Sequence, residues 1–144
     1  MSIPEIIMAF DFGIKNIGVA IGQKLTCTTQ PLNVIQSKSG FPNWQGIDCI
    51  YNIWRPAQLI VGLPLKMNGN EQPVTILAKQ FAIQLKNRFQ IAVEMHDERF
   101  STIEAYSNLS NYRYRNLTKI QKNNQIDSIA AEVILKSWLY QLPK

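Results

Sequence analysis

Residues 6–36 set three strand-like runs in succession, and the connections between them are too short to hold a helix. IIMAFDF (6–12) is rich in Ile, Met and Phe, IGVAIG covers 17–22, and a third run covers 27–36. Strands this close in sequence return on one another, which predicts an antiparallel meander. Alternation in the first strand puts Ile7, Ala9 and Asp11 on one face and Met8, Phe10 and Phe12 on the other. A carboxylate is thus set inside an apolar strand, where burying its charge is costly unless it has a partner.

After residue 36 the period changes. NWQGIDCIYNIW (43–54) has Trp44, Ile47, Ile50 or Tyr51, and Trp54 at helical spacing, and Pro56 ends it. LIVG (59–62) reads as a short buried strand, Pro73 to Phe89 as a long amphipathic helix, and 90–96 as a strand. Thr102 to Leu109 looks helical, and Ile126 to Leu139 is the last helix, with Trp138 facing the core. Three antiparallel strands followed by parallel additions predict an α/β fold. It is a ribonuclease-H-like mixed five-stranded sheet with helices on both faces. The chain of 144 residues fits one such domain over 1–144, with no repeat or linker. Cys27 and Cys49 are isolated, so neither a zinc site nor a disulfide framework is expected. The apolar run before Asp11 is too short for a secretion signal or a membrane span.

Several chemistries use an Asp placed like Asp11. A protein kinase needs a glycine-rich loop and a His-Arg-Asp loop before its Asp-Phe-Gly, and only ten residues precede Asp11. An actin-like ATPase needs a second domain and a second phosphate loop. The third option is a metal ligand on the first strand of a nuclease. Two further acids stand in odd places: Glu98 just after the fifth strand, in DERFST, and Asp127 at the start of the last helix, in QIDSIAAEVIL. Asp127 at a helix start would suit the dipole, and Asp97 or Glu98 would suit an ion pair with Arg99. If the strand persists past His96, Asp97 and Glu98 point to opposite faces, and only one of them joins Asp11. The predicted topology gathers the ends of strands one and five beside the last helix. Three carboxylates there would repel at neutral pH unless protonated or neutralised by a cation. Oxygen ligands favour Mg²⁺ or Mn²⁺, and two such ions ~3.5–4 Å apart stabilise both the attacking and leaving oxygens of phosphodiester cleavage.

Four stretches in order, AFDFGIKNIGVAIG (9–22), IVGLPLKMNGNEQP (60–73), DERFST (97–102) and IDSIAAEVILKSWL (126–139), resemble the YqgF family of Holliday-junction-resolvase-like bacterial nucleases. The resemblance implies a cytoplasmic, Mg²⁺- or Mn²⁺-dependent nuclease with Asp11, Glu98 and Asp127 as catalytic and metal-binding triad. It implies processing of the 5′ end of pre-16S ribosomal RNA, with ribosomal particles as possible partners, or cleavage of four-way DNA. Before Asp127, Lys122-Asn123-Asn124-Gln125 stands where the family commonly has Lys-Gly, and Asn there still permits a turn.

Lys plus Arg exceeds Asp plus Glu by 15 to 10, a net +5, which favours polyanionic partners. Residues 99–125 hold Arg99, Arg113, Arg115, Lys119 and Lys122 against Glu104, or 5 − 1 = +4. Tyr106, Tyr112 and Tyr114 are interleaved, and the run NYRYRNLTKIQKNN reads as a loop. Basic side chains neutralise phosphates and tyrosines stack on unpaired bases. Lys15 in the turn after Asp11 and Lys66 in the GLPLKMNGNEQP loop are further phosphate contacts. His96 is expected to be structural, because a two-metal nuclease needs no histidine. A nucleic-acid-binding module without catalysis is the main alternative to an enzyme. Either a monomer or a homodimer fits the sequence.

Overall fold

The computed structural model describes residues 5–99 and 128–143 in full, together with the backbone of residues 100 and 119–127. Its strands are β1 (Ile6–Asp11), β2 (Asn16–Gln23), β3 (Thr28–Pro31), β4 (Ile35–Lys38), β5 (Phe41–Pro42), β6 (Gln58–Leu63) and β7 (Ala92–Asp97). Its helices are α1 (Trp44–Trp54), α2 (Pro73–Phe89) and α3 (Lys119–Tyr140), with a short 3₁₀ turn over Glu98–Phe100. The sheet order is β5-β4-β2-β1-β6-β7, with β3 also on β2. β1 and β2 are antiparallel, whereas β1–β6 and β6–β7 are parallel. This is the mixed sheet expected from the sequence.

The third strand-like run divides, and with β5 the sheet has seven strands in place of five. The division has a local cause. β3 pairs β2 with Ala20 opposite Pro31, but β4 pairs it with Ile17 opposite Ile35. Two residues of β2 therefore face three on the other side, which is the register slip of a bulge. Pro31 has no N–H to carry the ladder onward, and it resumes through Leu32 N–H to the Val19 carbonyl (2.8 Å). The stretch beyond the bulge then turns at Ser39 and Gly40, both with positive φ, into β5.

Alternation along β1 is as the pattern demands. Met8, Phe10 and Phe12 enter a core with α1 and α2, while Ile7 and Ala9 enter another with Ile134, Leu135 and Trp138 of α3. Asp11 therefore ends the strand on the α3 side. α1 starts where Asn43 Oδ1 accepts the Gly46 N–H, satisfying one of the orphan donors of a first turn. α2 starts with Gln72 and Thr75 capping each other reciprocally, and Pro73 needs no donor there.

α3 begins seven residues before the expected Ile126. Lys119 and Lys122 are therefore on a helix, not in a loop, and the expected turn at Asn123-Asn124 is helical. No Pro or Gly interrupts 119–126, and Lys and Gln are good helix formers. Asp127 consequently lies two turns inside α3, too far from its N-terminus for the dipole to account for it. The expected helix at 102–109 lies outside the described residues.

A candidate active site at the carboxyl ends of the central strands

β1, β6 and β7 run in one direction, so their carboxyl ends lie together. Phe10 pairs with Val61, Gly62 with His96, and Leu63 with Asp97. The strand geometry stops at Asp97, and the 3₁₀ turn that follows turns Glu98 inward. Glu98 is the acid that joins Asp11, through a hydrogen bond between the two carboxyl groups. Two carboxyl groups can share such a bond only if one holds a proton. Burial pushes the Glu98 carboxyl above its ordinary range, the bond to Asp11 offsets part of that rise, and the charge of Asp97 adds to it. Among the described residues, the Glu98 Oε1 atom is buried without a hydrogen-bond partner. Leaving a buried acceptor unsatisfied is costly, so such an atom points to a missing donor or cation.

Gly62 makes room for this carboxyl. A Cβ on Gly62 would lie 2.5 Å from Glu98 Oε1 and 2.6 Å from Ile134 Cδ1. No side chain fits between strand, acid and helix at that point. In the sequence Gly62 is the last residue of the buried LIVG strand and the first of the GLPLKMNGNEQP loop. A lone glycine within a buried strand, LIVG, marks close approach of another group, and that signal would have found it.

Asp97 points elsewhere. Its oxygens accept from Arg99 Nε (3.0 and 3.1 Å) and Nη2 (2.7 Å), and the guanidinium lowers its pKa. Arg99 Nη1 also reaches the Met67 carbonyl at 3.4 Å. The guanidinium thus ties the end of β7 to the 64–72 loop, and part of its charge is already compensated by Asp97. That loop is a tight excursion, closed by a Leu65–Glu71 bridge and turned at Gly69 (φ 88°). Lys66 is exposed on it, and Lys15 is exposed on the β1–β2 turn. Both stand at the strand ends that carry Asp11. Arg113 and Arg115 lie outside the described residues.

α3 is set against the sheet by polar ties that the sequence reading did not single out. Ser128 Oγ accepts the Val19 N–H at 3.3 Å. Val19 adjoins Gly18, the register partner of Asp11. The position of Asp127 is therefore one residue from a direct tie to the strand beside Asp11. The Asp127 side chain itself lies outside the described residues. Further along, Thr29 Oγ1 donates to Glu132 Oε2 at 2.7 Å, His96 Nε2 bonds Ser137 Oγ at 2.9 Å, and Trp138 Nε1 donates to Glu94. His96 is buried and burial lowers its pKa, in keeping with a structural imidazole. Among the described residues no three of His, Cys, Asp or Glu come together. Also among them, no helix is long and apolar enough to cross a membrane.

Comparison with known proteins gives consistent matches. A family model described as RuvX, Holliday junction resolvase, matches residues 5–141. A protein of Blochmanniella floridana named "Putative pre-16S rRNA nuclease" is 62% identical over 139 residues, covering 94% of each chain. Among solved structures, RuvC of T. thermophilus in complex with a Holliday junction substrate superposes with a TM-score of 0.56 at 12% identity, covering 94% of each chain. The Fowlpox virus resolvase in complex with Holliday junction DNA gives 0.59 at 19% identity, covering 96% of this chain and 99% of that one. These likenesses establish a shared ribonuclease-H-like fold.

Proposed function

The chain belongs to the RuvX family of Holliday junction resolvase-like proteins, and from that membership and the paired carboxyl groups we propose that it is a divalent-metal-dependent endonuclease. It hydrolyses phosphodiester bonds in structured nucleic acid, and its substrate is the 5′ end of pre-16S ribosomal RNA. It works in the cytoplasm as one domain. The observation that carries this reading is Glu98 Oε1, a buried acid oxygen with no hydrogen-bond partner among the described residues, beside Asp11.

The donors present fit a hard divalent cation. Carboxyl oxygens are its ordinary ligands, and one of them is unclaimed. Asp11, Glu98 and Asp127 would hold it. When bound, such an ion supplies Lewis acidity at the phosphate and neutralises charge developing on the attacking and leaving oxygens. The chain's own groups do the rest. With the Asp11–Glu98 pair ionised, a carboxylate is available to accept a proton from the attacking water. Water forms the new bond to phosphorus as the bond to the leaving sugar oxygen breaks, and that oxygen takes up a proton from solvent as it departs. Lys15 and Lys66 hold the flanking phosphates. Arg113, Arg115, Lys119 and Lys122 take the more distant ones. Arg99, paired with Asp97, chiefly positions the 64–72 loop.

Junction cleavage is the second reading, favoured by the resolvases that share the fold. One assay separates the two. Labelled pre-16S leader RNA and a four-way DNA junction are each incubated with Mg²⁺, Mn²⁺ or EDTA, using wild type and Asp11→Asn. The expected outcome is metal-dependent cutting of the RNA, reduced at least ~100-fold in the variant, since even outer-shell losses at metal sites reach that size. Cutting of the junction alone would select the resolvase reading. Full activity of Asp11→Asn would overturn the mechanism. RNA binding indifferent to EDTA and to Asp11→Asn, with no cutting, would identify a binding module.

A further inference from the structure

Phe12 follows Asp11 directly but faces the other side of the sheet, and there it borders a cavity of about 190 Å³. This is below the ~300 Å³ at which ordinary small-molecule sites begin. Phe12, Phe41 and Trp44 supply aromatic surface, and Gln80 and Gln84 of α2 supply amides. Among the described residues, no charged side chain lines it. The pocket is built, not incidental. Trp44 is held by Phe81, 5.7 Å between ring centroids, and by the Arg88 guanidinium 5.1 Å from its ring, and Arg88 is in turn fixed to Asp48. The β4–β5 hairpin that forms its outer wall is tied to the turn after Asp11. Ser37 N–H donates to the Lys15 carbonyl at 2.8 Å, and Gly40 N–H to the Ile14 carbonyl at 3.2 Å.

Phe41 is 77% exposed at the mouth, which leaves its ring face open to a ligand. Its register partner is Lys38, which is exposed, and Lys15 is exposed on the adjoining turn. Aromatic faces take a planar ring by stacking, side-chain amides offer both donors and acceptors to its edge, and lysines at the rim suit the phosphates on either side. Asp11 and the pocket open on opposite faces of the sheet and are joined by the turn that carries Ile14 and Lys15, so a strand held at both passes over that turn, beside the exposed Lys15. The geometry points to a pocket for one unpaired nucleobase, from a nucleotide flanking the bond that is cut. This assignment rests on the nuclease reading above and adds a base-holding subsite to it.

The test is binding of a fluorescent single-stranded RNA of ~10 nucleotides, within the range of single-strand sites, to the full chain in EDTA. The RNA is also made with one base removed at each position in turn. Phe41→Ala is largely a surface change, and an unaltered melting midpoint verifies its fold. Gln84→Ala probes the amide side. We expect Phe41→Ala to weaken binding about tenfold, the size of a lost base–aromatic stack. Removing the base at one position should weaken wild type similarly, and in Phe41→Ala that removal should cost little more. Unchanged affinity of both variants, or losses that add at every position, overturns the pocket while leaving the nuclease reading intact if wild type still cuts. Failure of wild type to bind or cut any RNA or junction overturns both. Self-association that Phe41→Ala abolishes, with RNA affinity unchanged, would give this face to a second copy of the chain and overturn the assignment.

Discussion

Glu98 is at ease only while protonated or while a cation faces it. Its carboxyl is buried against Gly62 and Ile134 and hydrogen-bonded to Asp11. Because its pKa is raised in the folded state, the folded protein without metal binds that proton more tightly than the unfolded chain does. The resulting stability is fully present below the ordinary glutamate range and is lost as pH rises through the raised value. Glu98→Gln carries no such charge. In EDTA, the melting temperature of wild type should therefore fall relative to that of Glu98→Gln as pH rises above the ordinary glutamate range. Activity of the variant with Mg²⁺ should be lower by ~100-fold or more. Parallel pH profiles for the two proteins would show that burial of this acid carries no energetic cost, and the case for a cation at Oε1 would go with it. Adding Mg²⁺ to wild type at pH 8 should restore much of the difference, by mass action on the folded state.

Among the elements, α3 decides whether the third acid reaches the other two, because Asp127 is placed by the rotation of that helix. The rotation is set by apolar packing of Ala131, Ile134 and Leu135 and by the ties from Ser128 and Glu132. Glu132 is 3% exposed yet takes a hydrogen bond from Thr29 of β3, on the far side of β2 from Asp11. Glu132→Ala should cost about 1–3 kcal/mol in a denaturant titration, the range for leaving buried polar groups without partners. Thr29→Val should be non-additive with it, since each change removes the same bond. Additive losses would mean that the bond does not couple helix to sheet. This tie was not legible in the sequence, where Glu132 is one acid among apolar neighbours and nothing in the chain links it to a threonine 103 residues earlier. What could be read was periodic. The two faces of β1, the buried LIVG strand and the span of α2 follow from alternation and helical spacing, and the structure has them at those places. The start of α3 could not be read, because 119–125 is polar except for Ile120, and helical propensity without an apolar stripe looks like a loop. The bulge after Pro31 shows only in the pairing register, which depends on β2.

Along the chain the acids of the candidate site and the bulk of the positive charge fall in adjoining stretches. Acid is concentrated at the ends of β1 and β7, beside Gly62, while net positive charge is concentrated along one stretch of chain. Residues 99–125 carry +4 of the molecule's +5. That split was visible from the sequence, as was the approach of one acid after β7 to Asp11; alternation left Asp97 and Glu98 open, the family resemblance favoured Glu98, and the 3₁₀ turn that brings it inward is seen only in the structure. The role of Arg99 was not visible either, since its bonds to Asp97 and to the Met67 carbonyl arise only once β7 ends beside the 64–72 loop. With Arg99 largely occupied by Asp97, the remaining cations of the basic stretch must supply most of its attraction for phosphate. Single-stranded binding weakens with salt by a slope of about −0.7 for each phosphate neutralised. Replacing Arg113 and Arg115 together by Ala should flatten that slope by about 1–1.5 for the single-stranded leader RNA and weaken binding at low salt several-fold. Arg99→Ala should change the slope much less, and act instead by loosening the loop that carries Lys66. The measurement is RNA affinity against salt concentration for the three proteins, in EDTA so that cutting does not intervene. A slope unaltered by the double change would show that the basic stretch does not meet the nucleic acid, and would leave Lys15, Lys38 and Lys66, at the strand ends and the neighbouring hairpin, as the groups that hold it.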